Sequence, residues 1–124
     1  MKGKRRKVKG WLMRERIEIA KDIISLNGDV NKLHEELSQY PWDIEVPIVH
    51  ITNFDVLNIL NKAVSGQLSF VELEDWANVI ECRDDFSFES EGLQEIIFQL
   101  ANPLLHGGMS HHMVDKLIQE LQGK

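Results

Sequence analysis

Cysteine is almost absent from the chain: Cys82 stands alone in 124 residues, so no internal disulfide and no cysteine-based zinc site can form. No uninterrupted apolar stretch approaches the roughly 18 residues that span a bilayer. The first ten residues are too charged, and too short of a following apolar stretch, for a secretory signal. Cytoplasm is therefore the expected compartment. Three prolines and eight glycines are too few for a collagen-like or low-complexity chain. Missing too are the short motifs of common catalysts: no GxGxxG follows a strand, no GxSxG elbow occurs, and no HExxH lies on a helix.

What is present is the composition of one globular domain, 43% apolar and 27% charged. The net charge of −6 conceals two opposed regions. Residues 1–10 (MKGKRRKVKG) carry six bases and no acid, which leaves eight bases against twenty acids, a net of −12, in residues 11–124. The first region has little to bury and repels itself, so it is expected to be a mobile basic arm. The second is expected to be a single helical domain.

Apolar residues recur at helical spacing through Trp11, Leu12, Met13, Ile17, Ala20 and Ile24, which predicts an amphipathic helix closing at Asn27 and Gly28. Asp29 opens a short helix through Leu33 and Leu37. Thr52 with Asp55, and Ser69 with Glu72, have the spacing of a box in which a hydroxyl and a carboxylate satisfy free amides at a helix start. Ser90 and Ser110 are further cap candidates, and Pro103 ends the helix that Ser90 begins. Residues 44–51 (IEVPIVHI) can be an extended connection or an edge strand at most, because Pro47 lacks a ladder amide and no second strand signal offers a partner. The expected fold is all-α, a compact bundle of five or six helices. The Thr52 and Ser69 helices should form an antiparallel hairpin around Gly66.

Charge is the most informative chemistry. Residues 72–95 hold nine acids and one base, Arg83. Glu72, Glu74, Asp75, Glu91 and Glu95 fall near helix starts, where carboxylates oppose the positive end of the backbone dipole. Glu81, Asp84 and Asp85 fall near a helix exit, where cations would be the stabilising choice. Helical spacing carries Glu74, Asn78, Glu81 and Asp85 along one outward stripe of like charge. Such a surface costs a few tenths of a kcal/mol per pair and would speed capture of a basic partner. Trp42, between Pro41 and Asp43 with Glu45 nearby, can anchor an interface beside those acids.

Other constellations are weaker. His106, His111, His112 and Asp115 cluster without a recognised ligand spacing and read as ordinary exposed residues beside a Gly-Gly turn and a helix start, so neither a metal nor a cofactor is expected. Cys82, surrounded by acids at a helix exit, should remain a neutral thiol with a packing role. The basic arm lacks interleaved aromatics for stacking on bases, and a nucleic-acid contact through it would be nonspecific and salt-dependent.

Residues 56–77 (VLNILNKAVSGQLSFVELEDWA) resemble the small acidic helical immunity proteins of the colicin D immunity type: an aliphatic helix, a glycine turn, then a serine-led helix with acids and a Trp-Ala pair. The likeness covers the middle of the chain; the basic arm and the long stretch before Thr52 depart from it. It implies a noncatalytic bacteriocin immunity protein that covers the cationic active site of a toxin, a tRNA-cleaving or similar nuclease. On that reading Glu74, Asp75, Glu81, Asp84 and Asp85 are the partner-binding candidates, with Asn78 on the same stripe and Trp42 and Asp43 beside them. The alternative is a nucleic-acid-associated or regulatory helical protein that works through the arm.

Overall fold

In the computed structural model the described residues are 6–8 and 11–123. Six α-helices carry the fold: α1 (Arg16–Ser25), α2 (Val30–Leu37), α3 (Asn53–Val64), α4 (Phe70–Glu81), α5 (Glu91–Ala101) and α6 (His111–Gln122), with one 3₁₀ turn at Pro103–His106. The all-α expectation holds. Four three-residue strands accompany the helices: β1 (Arg6–Val8), β2 (Trp11–Met13), β3 (Val49–Ile51) and β4 (Phe86–Phe88).

The helix starts follow the local chemistry. Thr52 and Ser69 each receive the amide of the third helical residue, while Asp55 and Glu72 reach back to the cap amides at 3.0 and 2.9 Å. Asp29, Ser90 and Ser110 cap α2, α5 and α6 by the same side-chain acceptance. Glu15, before α1, makes no such bond, and the helix begins only at Arg16. Trp11–Met13, expected within that helix, is instead extended and paired antiparallel with Arg6–Val8. The remainder of the basic arm, residues 1–5, 9 and 10, lies outside the described residues. α1 ends on Leu26 in the left-handed region (φ 53°), whose amide bonds back to the carbonyls of Asp22 and Ile23. Gly28 follows at φ 135°.

The segment read as a lone extended connection has a partner after all. β3 pairs in parallel with β4, Val49 opposite Phe86 and Ile51 opposite Phe88. Parallel strands need a long crossover, and α3 with α4 supplies it. A three-residue Phe-Ser-Phe strand is too short to stand out by alternation, so only the tertiary pairing reveals it.

The helices bury one common core. Ile19, Ile23, Leu37, Ile59, Leu60, Leu73, Trp76, Ile96, Ile97 and Val114 are all at most 2% exposed. Trp76 is fully buried, and its indole Nε1 donates to the Ile23 carbonyl at 2.8 Å, which satisfies a backbone acceptor at the end of α1. α4 packs chiefly on α5, and α3 chiefly on α6. The anticipated α3–α4 hairpin is thus a direct but minor contact. On the outside, Arg14 bridges Asp22 and Glu36 at 2.6 Å each, and these bonds, Glu36 first, push its guanidinium further above its ordinary value. Among the described residues no helix is long and apolar enough to cross a membrane.

Candidate functional site

The exit of α4 is where charge, aromatic exposure and concavity meet. Glu81 is the last helical residue and Cys82 caps the end, so Arg83, Asp84 and Asp85 form the turn into β4. The expected outward stripe therefore stops at Glu81. Asp85 is not on the helix and is not outward: it is fully buried, the one buried carboxylate side chain among the described residues. Its Oδ1 accepts from Arg83 Nε at 2.7 Å and its Oδ2 from Arg16 Nε at 2.6 Å. Asp85 as a partner-binding residue is thereby corrected. A carboxylate taken out of water needs compensating cations, and both of its oxygens are occupied by this chain's own.

This ionic cluster does a definite structural job. Arg83 Nη2 donates to the carbonyls of Tyr40 and Pro41 at 3.1 and 2.8 Å, and Arg16 Nη2 donates to the same Pro41 carbonyl. The Arg16 guanidinium also lies 5.6 Å from the centroid of the Tyr40 ring, whose hydroxyl donates to the Arg14 carbonyl at 2.5 Å. One residue on, the Asp84 amide donates to the Trp42 carbonyl at 2.9 Å. The Asp85 carbonyl accepts the amides of Ile48 and Val49 at 2.8 and 3.1 Å. The turn after α4 is thus fastened at successive residues to the segment that follows α2, and that fastening presents Trp42, 61% exposed, next to Asp84.

Beside this junction lies a cleft of about 330 Å³. Buried Ile80, Phe86 and Ile97 form its floor, with Ile44, Pro47 and Phe88 also lining it. The carboxylates of Glu45, Glu81 and Asp84 line it as well, and all three residues are exposed. None of them forms an ion pair among the described residues. Arg83 is the cation in the lining, and its Nε and Nη2 are engaged by Asp85 and the two carbonyls.

The eight sequence candidates thus separate. Trp42, Asp43, Glu81 and Asp84 are exposed around the junction. Glu74, Asp75 and Asn78 are half-buried along α4, and Glu74 borders a different recess, made by Ala101 and the 3₁₀ turn, where Leu104 and Leu105 are 89% and 68% exposed. Asp85 is structural. Missed from the sequence were Glu45, visible only as an acidic flank of Trp42, and Gln94, which reaches the cleft from α5 without any local signal. Arg83 did carry a signal: one cation among nine acids is the natural partner of whichever acid is buried.

One other expectation is also revised. Cys82 is exposed at the helix cap and does not pack in the core. The His111 ring packs edge-on against Phe70 with centroids 5.1 Å apart, joining the starts of α6 and α4, and no group of three metal-ligating side chains occurs among the described residues. No family model, curated protein or solved structure matches the chain.

Proposed function

We propose that the protein is a noncatalytic immunity protein that binds and neutralises a basic, nuclease-like bacterial toxin domain in the cytoplasm through the acidic surface at the α4 exit. The observation that carries this reading is the set of exposed carboxylates near the α4 exit, Asp43, Glu45, Glu81 and Asp84, none of which forms an ion pair among the described residues. Glu81 and Asp84 sit where the helix terminus already carries negative character, an arrangement that local electrostatics disfavours and a cationic partner relieves. Trp42, 61% exposed and bonded through its carbonyl to the Asp84 amide, supplies a large apolar contact beside these charges. The chemistry belongs to the partner; this chain covers it.

The test is protection. Cells exposed to the toxin should be protected by the parent protein, and a purified basic nuclease domain should be inhibited by it. The double charge reversal Glu81→Lys with Asp84→Lys should lower the association rate by about tenfold or more, with the contrast shrinking at high salt. Far-ultraviolet circular dichroism should stay unchanged. Equal protection by parent and double variant rejects the assignment. Deleting residues 1–10 should leave protection intact; loss of a nucleic-acid complex on that deletion, with no protection to lose, would favour the arm-based regulatory alternative.

A further inference from the structure

We infer that the cleft beside the α4 exit is a receptor for one long cationic side chain of a partner protein, arginine in preference to lysine. The inference deepens the reading above and rests on it only for the identity of the partner.

Three features of the cleft select this occupant. Its volume of about 330 Å³ accommodates a long side chain. Part of its lining is apolar, with Ile80, Phe86 and Ile97 buried and Ile44 and Phe88 half-buried, which suits a methylene stem. Carboxylates from three different places in the chain, Glu45 after α2, Glu81 on α4 and Asp84 in the turn, line the same opening. The cation already there, Arg83, is held at Nε by Asp85 and at Nη2 by the Tyr40 and Pro41 carbonyls, and it forms no ion pair with those carboxylates.

A slot that joins apolar side chains to carboxylates without ion pairs is complementary to an amphipathic cation. A guanidinium fits better than an ammonium: it is planar, more weakly hydrated, and offers paired donors to a carboxylate. Because the Asp85 cluster fixes the turn that carries Asp84, little ordering is left to be done on binding.

The probes are three blocked tripeptides, glycine–arginine–glycine, glycine–lysine–glycine and glycine–glutamine–glycine, titrated into the isotopically labelled full chain and followed by amide and side-chain chemical shifts. Saturable shifts are expected at Glu81, Arg83, Asp84 and Phe88 with the arginine peptide, weaker ones with lysine, and none with glutamine. Gln94→Trp, which obstructs the cleft from an exposed position without changing charge, should weaken the arginine peptide by at least about tenfold, as should Asp84→Asn combined with Glu81→Gln. Parent-like binding by Gln94→Trp overturns the inference, as do shifts spread evenly over remote acids such as Glu35 and Glu120. A positive titration in a protein that protects against no toxin upholds the cleft and removes the inhibitory role. Full toxin affinity in Gln94→Trp removes the cleft and keeps that role.

Discussion

Replacing Asp85 with alanine tests the centre of the structural argument. The carboxylate is fully buried and receives one Nε bond from each of two arginines, at 2.7 and 2.6 Å. Its removal leaves the Arg83 side chain, 4% exposed, as a buried cation still tied to two carbonyls but without a counter-charge. Breaking a buried pair from one side costs about 3–5 kcal/mol, out of roughly 5–15 kcal/mol for a domain of this kind. Arg16, 17% exposed on its side chain, can turn to water more readily, so Arg16→Met should cost less, about 1 kcal/mol. Urea unfolding followed by circular dichroism should show a lower midpoint for Asp85→Ala with an unchanged slope, and the melting temperature should fall by about 10–20 °C. Adding Arg83→Met to Asp85→Ala should recover part of the loss, because the uncompensated charge leaves with its partner. Hydrogen exchange at the Asp84 amide, bonded to the Trp42 carbonyl, should accelerate in the single variant by more than global destabilisation accounts for. A loss under about 1 kcal/mol for Asp85→Ala, with the Asp84 amide still protected, would mean that the cluster does not fasten the turn.

Other expectations concern single, separable devices. Thr52→Ala and Ser69→Ala each remove one half of a capping box and should cost about 1 kcal/mol apiece, adding in the double variant because the two starts share no partner. Trp76→Phe deletes the donor to the Ile23 carbonyl and leaves unfilled volume, so chemical denaturation should register about 2–3 kcal/mol; a change within error would mean that water replaces the bond. The double reversal Glu81→Lys with Asp84→Lys should hold or slightly raise stability, within about 0.5 kcal/mol, since cations suit a helix exit. A loss above 2 kcal/mol would assign these acids a structural role instead.

Much of this protein was settled locally. Caps at Asp29, Thr52, Ser69, Ser90 and Ser110 are decided by a side chain and an amide three residues apart, and period-3.6 burial places Trp76 inward whatever surrounds it. The exposure of Glu81, Asp84, Trp42 and Asp43 belongs to the same class, because solvation is the default state of charge and of an aromatic beyond the helical stripe. Asp84 and Asp85 mark the boundary. Adjacent, identical and equally acidic, they are indistinguishable by composition, yet one is exposed and the other is held in the core by Arg16, 69 residues away, and by Arg83. A carboxylate's fate depends on which cation the chain brings to it, and that pairing exists only once α1, the turn after α4 and the segment following α2 have packed together. The β3–β4 pair and the cleft share that origin: each is assembled from distant segments, so no local window of sequence contains it.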